Sequence, residues 1–298
     1  MGYSPKTAVR GLTTAPTHTV GYVSYKHGDV LPANLAFGSV THAPLEGADE
    51  ELTRHKYHML TTYVDKEAVK GLQVPHMVHE GRVEGLILNG PAISPHFILL
   101  LRNMGLPIVL VDNVLTETAV DCVLCDNEGG AYQAAQHLVE HGHRRITFIS
   151  GPAHWLSSRE RAAGYRRALH EAGLEPHVVF MPDTVFDTGR EAMLAALHDR
   201  PDLTAVVGVN DATAVGVVQA CQQVGRDVPG DVAVVGFDDV PWARIHMPPL
   251  TTVRVHWHEI GIQAARRVVD LIERGNQVPI EMRLSVELTI RQSCGCLE

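Results

Sequence analysis

Long apolar runs are missing from this 298-residue sequence, and so is an excess of basic residues. No stretch of about 18 apolar residues is present, which argues against a membrane-spanning helix. The N-terminal MGYSPKTAVRGLTT lacks the apolar core of a secretory signal peptide, so we expect a cytoplasmic protein without a membrane partner. Lys and Arg number 25 against 34 Asp and Glu, a formal net charge of −9. A body this acidic binds nucleic acid poorly by itself, although a small basic DNA-binding appendage is compatible with it.

Cysteine is scarce, and its count of five is odd, which does not fit a disulfide framework. Cys122 and Cys125 form a C-x-x-C inside VDCVLCD, an apolar run that predicts a strand. No second ligand pair at zinc spacing is apparent. His137 and His141 are four apart on a predicted helix and His143 follows, but no carboxylate completes a motif such as H-E-x-x-H. We therefore expect no metal and no cofactor.

Catalytic motifs are also missing. The sequence contains no G-x-S-x-G and no P-loop, and no G-x-G-x-x-G follows the first predicted strand. Nothing pairs the Asp and Glu residues for acid–base work or supplies a nucleophile. We expect a protein that is not an enzyme.

What the sequence does contain is a regular alternation of predicted strands and helices. Apolar, β-branched runs lie at 19–24, 57–64, 84–89, 107–112, 145–150, 175–181, 204–210, 231–237 and 250–255. Segments of helical period lie between them, at 128–142, 157–173 and 210–225. This alternation predicts an α/β fold with parallel sheets, and the length predicts two lobes of four to six strands each.

Polar residues end several of these runs: Ser24, Asn89, Asp112, Asn210 and Asp238. Ligands of parallel α/β sheets bind outside the carboxyl ends of the strands. Amides and carboxylates at these positions, without a catalytic motif, indicate a binding cleft.

Five blocks of sequence, in order, resemble the signature of the LacI/GalR family of bacterial transcription regulators. They are DNEGGAYQAAQHLVEHGHRRITFISGP (126–152), RERAAGYRRAL (159–169), GVND (208–211), VAVVGFDDVPWAR (232–244) and PPLTTVRV (248–255). The resemblance implies two Rossmann-like lobes with a ligand cleft between them, the type I periplasmic-binding-protein-like fold. It implies a hinge segment at 1–18, an N-terminal lobe at 19–115 plus 254–283, and a C-terminal lobe at 116–253 plus 284–298.

The N-terminal GYSPKTAVRGLTT (2–14) resembles the hinge that follows the helix-turn-helix in this family. The resemblance implies that Leu12 wedges into the DNA minor groove and that Arg10 lies near phosphate. The helix-turn-helix itself is not in the sequence, and the abrupt Met1 leads us to expect that the chain was cut there.

Five residues fall on positions that commonly contact the effector in the family: Asn89, Asp112, Arg161, Asn210 and Asp238. Carboxylates accept hydrogen bonds from two vicinal hydroxyls, a guanidinium donates to two oxygens at once, and amides do both. The alternatives are structural roles. Asp112 or Asp238 would cap a helix or hold a loop, and Arg161 would pair with Glu160 or Glu171 on the surface.

Two aromatic residues are candidate platforms for a sugar ring. Trp155 lies in a loop after a strand, and we expect it to be exposed at the mouth of the cleft, with Phe186 as a second platform. Relatives often carry an Asn-Pro-Phe-Phe-like turn after the first strand. This chain has SYKHGDVLPANLAF there, where Tyr25 or Asp29 would have to compensate. For Trp155, the sequence equally supports a structural role in which the side chain covers the core of its own lobe.

The resemblance predicts the effector-sensing and dimerisation part of a DNA-binding regulator, a repressor. A small ligand, a neutral sugar with a purine as the alternative, would bind in the cleft and alter operator affinity in a homodimer. Operator DNA would be bound through the helix-turn-helix and the hinge. The alternative function is the solute-binding protein of a sugar ABC transporter, which shares the bilobal fold.

Overall fold

The structure, a computed structural model, describes residues 16–26, 42–116, 118–275 and 277–296, which divide into two compact units. Within these ranges the first unit takes residues 16–26, 43–123 and 258–282, and the second takes 42, 124–257 and 283–296. Arg10, Leu12 and Asp29 lie outside the described residues. None of the helices in the described ranges is long and apolar enough to cross a membrane.

The first sheet has six strands. They are β1 (Thr19–Tyr25), β2 (His58–Val64), β3 (Gly85–Asn89), β4 (Ile108–Val111), β5 (Asp121–Cys125) and β11 (Glu281–Leu284). Their order is β11-β5-β4-β3-β1-β2, and β1 to β5 pair in parallel.

Five helices accompany the first sheet. They are α1 (Ala43–Arg54), α2 (Lys66–Lys70), α3 (His76–His79), α4 (Pro95–Arg102) and α9 (Trp257–Arg274), of which the last joins this unit from His258 onward. Local signals set their ends: the side chain of Asp65 caps α2, and Ser94 caps α4, which has proline at its first position.

The second sheet repeats the plan with β6 (Ile146–Ser150), β7 (Val178–Phe180), β8 (Ala205–Gly208), β9 (Ala233–Asp238), β10 (Thr251–Arg254) and β12 (Glu287–Thr289). The order is β12-β10-β9-β8-β6-β7, parallel except for the antiparallel β10–β12 pair. Its helices are α5 (Asn127–Glu140), α6 (Leu156–Glu171), α7 (Phe186–Asp199) and α8 (Asp211–Gln223), with a short 3-10 turn at Pro241–Arg244.

The predicted α/β fold with two mainly parallel sheets is confirmed. Each apolar run predicted from the sequence contains a strand. Strands such as β3, β6 and β9 are buried along their whole length. A sheet covered by helices on both faces requires such continuous apolar runs. The three predicted helices are α5, α6 and α8, and they end within two residues of the expected boundaries.

Two strands and several helices have no counterpart in the sequence analysis. Strands β11 and β12 are short and largely solvent-facing, so they carry no apolar run. They pair at sheet edges, where only the fold supplies their hydrogen-bonding partners.

Candidate functional site

The carboxyl edge of the first sheet brings three predicted ligand residues onto neighbouring strands. Tyr25 ends β1 and is half-buried, and Asn89 ends β3 and is buried. Asp112 follows β4 directly, in a left-handed backbone conformation with φ of 53°. The register places Asn89 beside Ser24 on one side and Val111 on the other. The sheet therefore gathers these side chains at one edge.

Asn113, which the sequence analysis did not single out, builds the loop at this edge. Its Nδ2 donates to the carbonyl oxygens of Gly90 at 3.0 Å and Ile93 at 2.9 Å, and its Oδ1 accepts from the Val114 N–H. The buried amide thus holds the segments after β3 and β4 together. The only prior signal was its place one residue beyond a predicted strand.

In the second unit, Arg161 and Asp238 form a buried pair at the carboxyl edge of β9. The Nη2 atom of Arg161 lies 3.6 Å from Oδ1 of Asp238, and both side chains are 5% exposed. The guanidinium carbon lies 3.7 Å from the centre of the Phe237 ring. The alternative, in which Arg161 pairs with Glu160 or Glu171 on the surface, is wrong because Arg161 is buried. Glu160 instead contacts Arg283, and Glu171 contacts Tyr132. Charges that leave water are retained only with partners of opposite sign or good hydrogen bonds.

The rest of the Arg161 fork is bound within the protein. Its Nε donates to Asn127 Oδ1 at 2.8 Å, and its Nη1 donates to the Val209 carbonyl at 2.6 Å. This fixes the guanidinium and directs Nη2 to Asp238. Asn127 is a residue that the sequence analysis missed. Asn127 is the first residue of α5, two residues after β5 ends at Cys125, so the strand-end argument applied to β5 would have pointed to this turn.

Backbone strain marks the end of β9. Asp238 has φ of 111° and Asp239 has φ of 54°, in the range that L residues rarely adopt, and the value for Asp238 also lies outside the left-handed region that aspartate tolerates. Strained backbone persists where the surrounding structure holds it, and it concentrates at ligand sites.

Asp239 is held by arginines. Its carboxylate accepts from Arg254 Nε at 2.7 Å and from Arg291 Nη2 at 2.5 Å. Burial alone would raise the pKa of Asp239, but these hydrogen bonds outweigh it and lower the pKa below its usual range. Asp239 therefore anchors the loop after β9.

Asn210 caps α8. Its Oδ1 accepts from the Thr213 N–H at 2.8 Å, and its Nδ2 donates to the Thr184 carbonyl at 3.1 Å. Both functional groups of the amide are thus engaged by the fold. The ligand role predicted for Asn210 would have to use the remaining lone pair or hydrogen.

The two aromatic candidates differ in their surroundings. Trp155 is 6% exposed, so the expectation of an exposed side chain is wrong. The residue immediately precedes α6, and its ring passes within 3.8 Å of where a Cβ on Gly151 would lie. Phe186, at the start of α7, is half-buried and packs against the apolar core of its unit.

A family model described as a periplasmic binding protein-like domain matches residues 135–294. The HTH-type transcriptional regulator CelR of Thermobifida fusca is 31% identical, over 98% of this chain and 86% of its own length. Catabolite control protein A of Priestia megaterium is 27% identical and the repressor PurR of Photobacterium profundum 28%, with the same coverage.

Solved structures agree. A complex of CelR with cellobiose has a TM-score of 0.84 at 30% identity, covering 93% of this chain and 84% of that one. The lac repressor dimer bound to operator and an anti-inducer also has a TM-score of 0.84, at 22% identity over 98% of this chain and 99% of that one, and shows the shared fold.

Proposed function

Because this chain belongs to the LacI/GalR family of transcriptional regulators, we propose that it senses a neutral sugar and transmits its presence to operator DNA. The structure of its relative CelR contains cellobiose, which makes a β-linked glucose disaccharide the first ligand to test. We place its action in the bacterial cytoplasm, where operator DNA lies. Its relative CelR is named as a transcriptional regulator and PurR as a transcriptional repressor, which favours this function over the solute-binding protein of a transporter and over an enzyme.

The observation that carries the sugar proposal is the Arg161–Asp238 pair. The guanidinium is fixed beside the carboxylate, with Nη2 of Arg161 3.6 Å from Oδ1 of Asp238, and both side chains are buried. A carboxylate held at a strained strand end, with an arginine fixed beside it, is suited to accept hydrogen bonds from two vicinal hydroxyls. We infer that Asp238 contacts the ligand and that Arg161 orients Asp238 and donates through Nη2.

Within the first unit, Asn89, Asp112 and Tyr25 are proposed ligand contacts because they lie at the carboxyl ends of its strands. Half-buried Phe186 is the better aromatic contact of the two candidates, because Trp155 is buried. Asn210 is a weaker contact because its amide caps α8.

We further propose that the chain acts as a homodimer and that ligand binding alters operator affinity. A coupling of about 1–3 kcal/mol between two sites is typical of allosteric proteins in general. Arg10 and Leu12 of the segment 1–18 are the proposed DNA contacts within this chain.

The sugar proposal is tested by calorimetric titration of the chain with cellobiose, other mono- and disaccharides, and purines. Asp238→Asn keeps the shape of the side chain and removes its charge. Since a hydrogen bond to a charged group contributes about 1.5–3 kcal/mol, we expect affinity for the sugar to fall about 10- to 100-fold. Asp202→Asn, at a surface aspartate paired with Arg145, is the matched control and should bind as the wild type does.

Unchanged affinity in Asp238→Asn would refute the assignment of the contact residue. A purine that binds while every sugar fails would replace the ligand class but keep the regulator. A bound ligand at about 100 times its Kd adds about 2.7 kcal/mol of stability, so a thermal scan of each variant separates lost binding from lost folding.

A further inference from the structure

Three metal-binding side chains from distant parts of the sequence meet in the second unit. His137 lies near the end of α5, while Cys294 and Cys296 lie at the end of the described chain. Their ligand atoms are all within 4.8 Å of one another, and His137 Nε2 lies 3.3 Å from Cys296 Sγ. The C-x-C pair had no role in the sequence analysis, because its partner histidine is 159 residues away.

The spacing is close to that of a tetrahedral zinc site. With Zn–S distances of about 2.3 Å and Zn–N of about 2.0 Å, ligand atoms lie about 3.5–3.8 Å apart around the ion. Since the ligand atoms lie within 4.8 Å of one another, movements of about 1 Å bring them to this spacing. Two sulfur atoms and one imidazole form the donor set that prefers Zn²⁺ over the oxygen-seeking Mg²⁺ and Ca²⁺.

The surroundings of the cluster hold the ligands in place. Cys294 and His137 are buried, and Cys296 is half-buried. The Thr251 hydroxyl donates to Cys294 Sγ at 3.1 Å, the kind of hydrogen bond that supports a metal-bound thiolate. His141 lies against His137, with ring centres 4.3 Å apart and its Nδ1 2.7 Å from the His137 carbonyl oxygen.

We propose that His137 Nε2 and the thiolates of Cys294 and Cys296 bind one Zn²⁺ ion, with water in the fourth position. Binding replaces the two S–H bonds with Zn–S bonds and releases two protons to solvent, with no change of oxidation state. The expectation of no metal, which weighed the histidine run and the C-x-x-C separately, is revised by this proposal. The ion would tie residues 294–296 to α5.

The test uses the 298-residue chain under reducing conditions, titrated with Co²⁺ as a spectroscopic substitute for Zn²⁺. We expect a thiolate-to-cobalt charge-transfer band and visible bands of tetrahedral cobalt, saturating at one ion per chain and abolished by added Zn²⁺. The charge-transfer band matters because the 18 histidines could bind cobalt weakly through imidazole alone.

Cys296→Ser, Cys294→Ser and His137→Gln should each weaken or abolish the cobalt spectrum. Cys122→Ala, at a buried cysteine on β5 outside the cluster, is the matched control and should keep the spectrum. Cys296 is half-buried near the end of the chain, so its serine variant stays informative if the Cys294 variant fails to fold. Circular dichroism checks folding in each case.

No thiolate band in the wild type would overturn the proposal. A band that keeps its full intensity in both serine variants, or that disappears in a folded Cys122→Ala, would also overturn it. A spectrum of imidazole ligands alone would mean that cobalt binds elsewhere. The outcome bears only on the metal site, because cellobiose binding is measured separately.

Discussion

Asp211 is a carboxylate placed where water does not reach. It is 1% exposed, with Oδ2 accepting from the Val240 N–H at 2.9 Å and Oδ1 accepting from the Thr252 hydroxyl. Burial and the neighbouring Asp238 raise the pKa of Asp211 well above its usual range, and the hydrogen bonds oppose this only in part. Asp211 therefore joins β9, β10 and α8 at an electrostatic cost.

This cost has a defined pH dependence. Because the folded pKa of Asp211 lies above the unfolded one, the folded state binds more protons in the interval between them. The free energy of unfolding therefore falls as pH rises from the ordinary carboxyl range to the raised pKa. Asp211→Asn cannot ionise, so we expect its stability to decline less with pH than that of the wild type.

Urea unfolding followed by circular dichroism between pH 4 and pH 8 measures this slope. Thr252→Val removes the hydroxyl that lowers the pKa of Asp211, so its loss of stability with pH should continue to higher pH than in the wild type. Identical slopes in Asp211→Asn and the wild type would refute the raised pKa.

At the scale of elements, pairs of helices pack closely where a glycine of one helix faces a backbone carbonyl of the other. A Cβ on Gly261 of α9 would lie 1.9 Å from the Pro44 carbonyl oxygen on α1, and one on Gly47 would lie 2.0 Å from that of His258. In the second unit a Cβ on Gly164 of α6 would lie 2.0 Å from the Glu128 carbonyl oxygen. Such contacts leave no room for a methyl group, so the helix pairs depend on these glycines.

Gly261→Ala should therefore destabilise the first unit. Forcing a methyl group into a packed contact costs about 1–3 kcal/mol, which exceeds the helix propensity gained from alanine, about 1 kcal/mol. Gly230→Ala is the control, because its new Cβ would meet nothing nearer than Asp227 Cβ at 3.4 Å. We expect Gly230→Ala to be neutral or slightly stabilising in urea unfolding. Equal stability of the two variants would contradict the close packing of α1 and α9.

The whole molecule is acidic, and this affects its proposed self-association. Each copy carries a net charge of −9, so two copies repel at long range. Salt shortens the Debye length to about 10 Å at 0.1 M and weakens this repulsion. The proposed dimer should therefore be tighter at moderate salt than at very low salt.

Sedimentation velocity at micromolar concentration, in about 0.01 M and about 0.1 M salt, tests this expectation, because the Debye length changes from about 30 Å to about 10 Å. A lower dissociation constant at the higher salt is the expected result. A chain that stays monomeric at both salt concentrations would contradict the homodimer, and a dimer that weakens with salt would indicate that opposite charges meet at the interface.

The sequence by itself determined the α/β class, the strand runs and the family. These follow from local periodicity, which sets whether a segment is buried on one face or two, and from motifs contiguous in the chain. Asn89, Asp112, Asn210 and Asp238 could be found as strand ends because parallel strands share one carboxyl edge.

Only the tertiary structure decided which side chains meet. Arg161 reaches Asp238 and Asn127, and His137 reaches Cys294 and Cys296, across separations that no local pattern encodes. It also decided that Trp155 is buried, since exposure depends on what the fold packs over a loop. Contacts between distant residues form when sheets and helices bury their apolar faces together, and that arrangement is a property of the whole chain.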